Sequence, residues 1–149
     1  MAKLHFAPHL TILGKSADLQ NDRGLPIYSS PVQAGFPSPA EDDVESRLDL
    51  HSYCVKNPAA TFFLRACGDS MIGAGIHSGD LLVVDRSAEA AHDRIVIAAI
   101  EGELTVKRLC RRQNRVLLLP ENPAYPEIDI TEREYVYIWG VVTYVVHSL

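Results

Sequence analysis

Ile95-Val96-Ile97-Ala98-Ala99-Ile100-Glu101-Gly102-Glu103-Leu104-Thr105-Val106-Lys107-Arg108-Leu109 decides the fold class. Two apolar runs flank Glu101-Gly102. A two-residue connection that carries glycine marks a tight β-hairpin. In a strand, alternate side chains share a face, so Lys107 stands on the same face as Thr105 and Leu109. The pattern repeats on both sides of this hairpin. Ala60 to Ala66 is rich in Phe and β-branched residues, and Asp80 to Asp85 is a short apolar run bounded by Gly79 and Arg86. Val116 to Leu119 closes at Pro120, and Tyr135 to Val146 is a long final strand with a bend at Gly140. Short strands without intervening helices predict a mainly β, compact, Greek-key-like or barrel-like body of antiparallel strands.

Upstream of these strands the local signals change. Ser38-Pro39-Ala40-Glu41 carries a capping serine, a proline at the first helical position and a glutamate that closes a capping box. Glu41, Asp42 and Asp43 suit the positive end of the helix dipole. Val44, Leu48, His51 and Val55 recur at helical spacing, and Asn57-Pro58 stops the run. One N-terminal helix from Ser38 to Asn57 is the expectation. Residues 1–38 hold Pro8, Pro26, Pro31 and Pro37 without sustained periodicity. They read as an extended N-terminal arm (1–38) leading into the β-rich domain (39–149).

The bulk numbers narrow the function. The chain has 149 residues, of which 47% are apolar, enough for one domain with a real core. A net charge of −5 argues against general nucleic-acid binding. Cys54, Cys67 and Cys110 are widely spaced and odd in number, as expected of reduced thiols in a cytoplasmic protein. The six histidines are scattered, so neither a metal nor a cofactor is expected. Pro8 and His9 break any signal-peptide core, and no segment is long enough to span a membrane.

Ala66-Cys67-Gly68-Asp69-Ser70-Met71-Ile72-Gly73-Ala74-Gly75-Ile76 follows an apolar run and puts Ser70 in a Gly-rich turn. A serine hydroxyl needs a base to become a nucleophile. No histidine–aspartate pair is placed to serve, and His77 falls on a loop. A lysine can serve when burial makes it neutral, and Lys107 lies among apolar neighbours. Gly68, Gly73 and Gly75 allow backbone N–H groups to converge on one point, where a tetrahedral oxyanion would gain most.

Taken together these blocks resemble the LexA/UmuD family of self-cleaving Ser–Lys peptidases. The matching residues are Gly68-Asp69-Ser70-Met71, Gly75-Ile76, Ser78 to Asp85, Ile95 to Ala99 and Gly102 to Lys107. Ala34-Gly35-Phe36-Pro37-Ser38-Pro39-Ala40 is similar to the cleavage region of the UmuD branch, and Pro120 to Tyr125 to a later block of it. The resemblance implies Ser70 as nucleophile, Lys107 as general base, the Asp69 and Ser70 N–H groups as oxyanion donors, and Ala34-Gly35 as the scissile bond. It also implies a homodimer, cleavage stimulated by the RecA–single-stranded DNA filament during the SOS response to DNA damage, and a trimmed form that joins a UmuC-like, error-prone translesion polymerase. The residues ahead of Gly35 are too few, and show no helix-turn-helix pattern, for the DNA-binding domain of the LexA branch; no direct sequence-specific DNA binding is expected. Two departures stand out: Asp93-Arg94 where the family often has Gly-Asp, and Ala34 where the UmuD branch often has cysteine. The alternative reading is a non-catalytic dimeric binding module that regulates a polymerase or RecA.

Overall fold

The computed structural model describes residues 10–15, 24–29, 31–35 and 44–149. Its centre is an antiparallel sheet built from eight strands: β1 (Leu10–Lys15), β4 (Thr61–Ala66), β5 (Leu81–Asp85), β6 (Ile95–Ile100), β7 (Glu103–Arg112), β8 (Arg115–Leu119), β9 (Ile128–Asp129) and β10 (Val136–Val146). The order across the sheet is β1-β4-β5-β10-β6-β7-β8-β9. The last long strand therefore runs between β5 and β6 and joins the two halves of the sheet. A separate two-stranded ribbon pairs β2 (Leu25–Tyr28) with β3 (Val44–Leu48).

The sheet buries both of its faces. Ile97 and Ala99 of β6 pack with Leu104 and Val106 of β7, and with Leu64, Leu82, Val84 and Trp139. Their alternates, Val96 and Ala98, pack on the other side with Leu109, Leu118 and Val141. Burial on both faces explains why β6 reads as a continuous apolar run and not as strict alternation. The β6–β7 hairpin forms as its sequence indicates. Glu101 (φ 51°) and Gly102 (φ 85°) both lie in the left-handed region, which a two-residue turn needs to match the strand twist.

β10 bends where glycine allows it. Its register against β6 shifts between Ile138 and Gly140, and against β5 between Val142 and Tyr144. A Cβ on Gly140 would stand 2.6 Å from Val84 Cγ1, so only glycine lets β10 approach β5 this closely. Beside the bend the Trp139 ring meets Phe62 edge-on, with centroids 5.4 Å apart. Arg86 covers the same ring and donates Nε to the Trp139 carbonyl at 2.9 Å.

The long N-terminal helix is corrected. Residues 36–43, including the capping box at Ser38, lie outside the described residues. Residues 44–48 are strand β3, and the helix α1 is only Leu50–Cys54. Val44 is 51% exposed, so the apolar stripe counted from it finds no core to pay for a helix. Asp49 is the working cap: its carboxylate accepts the His51 and Ser52 N–H groups at 3.1 and 3.2 Å. The arm, for its part, contributes strands. β1 pairs with β4, and β2 crosses the boundary drawn at residue 38 to pair with β3. Among the described residues no helix is long and apolar enough to cross a membrane.

Candidate active site

β4 delivers the chain to the Ser70 turn. After Ala66, Gly68 adopts φ 92°, a conformation that costs glycine little, and its N–H donates to Ser78 Oγ at 3.1 Å. A short 3-10 turn follows at Ile72–Ala74. Met71 and Ile76 are buried on either side of this turn and pin it to the core. Ser70 is left half-buried at the surface of the sheet.

Lys107 reaches the same point from the middle of β7. Its side chain is 7% exposed, and among the described residues no carboxylate pairs with it. Burial without a counter-charge pushes its pKa below the ordinary lysine value. Nζ has three neighbours, each at 3.0 Å: Ser70 Oγ, Thr105 Oγ1 and the Val106 carbonyl. An ammonium donates to all three. A neutral amine has two N–H donors and one lone pair. The Val106 carbonyl can only accept, so it takes one N–H. With Thr105 Oγ1 accepting the other, the lone pair faces Ser70 and accepts its hydroxyl proton. That is the arrangement a general base requires.

Among the described residues, no acceptor meets the Asp69 or Ser70 backbone N–H. Both border a cleft of 170 Å³ lined by residues 67–70, Thr105 to Lys107 and Tyr125. A second pocket of 460 Å³ shares Thr105, Lys107 and Tyr125 and continues along β7 toward Ile100 and Ile128. Together they make a groove that an extended segment can enter. Ala34 and Gly35 are not in it. Both are exposed, and a Cβ on Gly35 would meet no atom within 4 Å. The structure thus unites Ser70 with Lys107 and leaves the Ala34-Gly35 bond outside the cleft.

The segment after β8 fixes the serine turn, and the spacing of residues did not announce it. The Glu121 N–H donates to the Ser70 carbonyl at 2.8 Å, and the Gly73 N–H donates to the Glu121 carbonyl at 2.8 Å. Asn122 Nδ2 donates to the Asp69 carbonyl at 3.0 Å, and the Tyr125 hydroxyl to Asp69 Oδ1 at 2.5 Å. Arg108, next to the lysine on β7, holds Glu121 from the other side by an ion pair and donates to the Asp93 carbonyl at 2.8 Å. Asp93 has φ 69°, so this aspartate takes the left-handed conformation natural to the glycine often found there in the family. The turn survives the departure. Farther along the hairpin Arg115 pairs with Asp129, whose carboxyl Thr131 and Arg115 together hold far below the usual range.

Comparison with known proteins identifies the family. The model of the peptidase S24-like family matches residues 26–143, which include Ser70, Lys107 and the whole cleft. The chain belongs to the peptidase S24-like family. Protein ImpA of Escherichia coli is 50% identical over 139 residues, covering 92% of this chain and 94% of its own length. Protein SamA of Salmonella typhimurium strain LT2 is 52% identical over 123 residues, 83% of this chain and 85% of the relative. The LexA repressor of Hahella chejuensis is 41% identical over 115 residues, 77% of this chain but 56% of the repressor. The chain is a UmuD-type member of the LexA/UmuD group, with the serine-peptidase body of the S24 family.

Proposed function

We propose that this protein cuts itself between Ala34 and Gly35, with Ser70 as nucleophile and Lys107 as base. The observation that carries the reading is the 3.0 Å contact between a buried, counter-charge-free lysine and a serine at the floor of an extended groove. Neutral Lys107 takes the Ser70 hydroxyl proton as Oγ attacks the Ala34 carbonyl carbon. The Asp69 and Ser70 N–H groups receive the oxyanion. The Lys107 ammonium returns the proton to the Gly35 amine, which leaves. Water, deprotonated by the same lysine, then hydrolyses the Ala34–Ser70 ester. The products are an arm that ends in the Ala34 carboxylate and a body that begins at Gly35.

The exposed position of Ala34-Gly35 supports a gate before chemistry: the arm must first enter the groove. A RecA–single-stranded DNA filament accelerates the reaction by binding the docked state better than the open one. The trimmed homodimer then serves as accessory subunit of a UmuC-like translesion polymerase in the cytoplasm, as part of the SOS response. Incubation with RecA filament, followed by N-terminal sequencing of the larger fragment, tests the site. The expected first residue is Gly35; any other start moves the scissile bond.

A further inference from the structure

Histidines that look scattered in sequence converge in space. Asp80, immediately before β5, is 3% exposed. Its Oδ2 accepts the His77 backbone N–H at 2.7 Å, and its Oδ1 lies 2.5 Å from Nδ1 of His147, just past the end of β10. The two imidazoles stack with centroids 4.6 Å apart. His77 Nδ1 is the exception in this group. It sits 3.7 Å from Asp80 Oδ2, too far for a hydrogen bond, and it is buried with no hydrogen-bond partner. Buried polar atoms are nearly always satisfied, so an orphaned ring nitrogen aimed at a carboxylate needs a reason.

A cation supplies one. One ligand atom from each of the three residues lies within 4.8 Å of the other two. Two imidazole nitrogens and one carboxylate are a donor set that zinc accepts at about 2.0–2.2 Å, which places tetrahedral ligand atoms roughly 3.3 Å apart. His77 Nδ1 and Asp80 already stand near that spacing, and His147 needs to back away from Asp80 by less than about 1 Å. His77 Nδ1 and the Asp80 carboxylate are themselves buried, but both histidine side chains are more than 40% exposed, so the rings have room to turn and admit an ion. Burial raises the Asp80 pKa, but the His77 N–H and the His147 ring outweigh it, and the carboxyl is held below its ordinary value as an anion.

We propose that His77, Asp80 and His147 form a three-ligand binding site for a divalent borderline metal ion such as Zn²⁺. The metal replaces the proton shared between His147 Nδ1 and Asp80, and takes up the unused lone pair of His77 Nδ1. It lies apart from the Ser70 cleft and shares no lining residue with it. Its structural effect is a clamp. It fastens the end of β10 to the loop that starts at Ser70, a loop tied back to β4 by the Gly79 N–H to Ala66 carbonyl bond at 2.8 Å.

The test uses the untagged full chain carrying Ser70→Ala, so that its length stays constant. Titration with Co²⁺ should produce the visible bands of a tetrahedral N/O site at one equivalent, and Zn²⁺ should displace them. Zn²⁺ should also raise Tm by several degrees. His77→Ala and His147→Ala should each weaken binding by at least about 100-fold and abolish the Tm rise. These rings are exposed at their edges, so both variants should fold, which their Tm without metal checks. Three results would overturn the site: no Co²⁺ bands, bands retained in either histidine variant, or a thiolate charge-transfer band, which would assign the metal to one of the free cysteines.

Discussion

Gly73→Ala probes how the serine is held. A Cβ at Gly73 would stand 2.6 Å from the Glu121 carbonyl oxygen, an approach that real side chains essentially never make. The obstacle is backbone, so something must move by at least about 0.4 Å, and by about 0.8 Å to reach ordinary contact. The same displacement lengthens the bond from the Gly73 N–H to that carbonyl, and Glu121 and Asn122 carry the Ser70 and Asp69 carbonyls with them. Overpacking of this kind costs about 1–3 kcal/mol of stability. A serine displaced by a large fraction of 1 Å from its base costs up to about 100-fold in rate. The assay follows cleavage by intact mass at a fixed alkaline pH and records Tm on the same samples. Gly75→Ala is the control. Gly75 has φ 78° and open space around it, so alanine there costs about 1 kcal/mol in backbone strain without a steric push on Glu121. Expected are a lowered Tm in both variants and a 10- to 100-fold slower cut, as estimated above, in Gly73→Ala alone. Cleavage of Gly73→Ala at the rate of Gly75→Ala would refute the claim that the Glu121 segment positions Ser70.

Other consequences follow from the lysine. Lys107→Met should abolish cleavage and yet stabilise the fold at neutral pH by about 1 kcal/mol, allowing for solvent that reaches the amine through the cleft. The sign comes from the lowered folded-state pKa. The penalty for burying the charge is complete below that pKa and vanishes above the unfolded value, so the advantage should shrink as pH rises toward 10.5, as chemical denaturation across pH would show. Thr105→Val removes an acceptor that favours the ammonium over the amine and also aims the lone pair. The pH–rate profile should shift its midpoint to lower pH while the plateau falls about tenfold, the worth of one hydrogen bond; a shift to higher pH would contradict that role.

The hairpin from Ile95 to Leu109 was legible because its signal is local: two apolar runs and a turn that requires positive φ at Glu101 and Gly102. The bend at Gly140 was legible for the same kind of reason. Ser70 and Lys107 could be put forward as candidates from their chemistry and surroundings, but nothing local brings the turn after β4 to β7, and only the family resemblance made the pairing specific. The helical expectation failed over residues 44–48 because a stripe at helical spacing describes only local preference. Pairing of residues 44–48 with β2 is a contact across the chain that overrides it. β1 and β2 escaped notice for a related reason. Gly14 sits at a register shift in β1, Pro26 lies within β2, and the β2 side chains are all exposed, so backbone pairing forms these strands without an apolar pattern. The bracing of Ser70 by Glu121, Asn122 and Tyr125, and the meeting of His77 with His147, both join distant parts of the chain and leave no periodic trace.

The most direct measurement of the central claim is the intact mass of the purified protein, held at neutral and at strongly alkaline pH, beside Ser70→Ala and Lys107→Ala. High pH neutralises Lys107 and should speed the cut without any filament. The account predicts a new species that begins at Gly35, faster at alkaline pH and missing from both variants. An unchanged mass at every pH, and still unchanged with RecA filament present, would contradict it and leave a folded binding subunit in place of a peptidase.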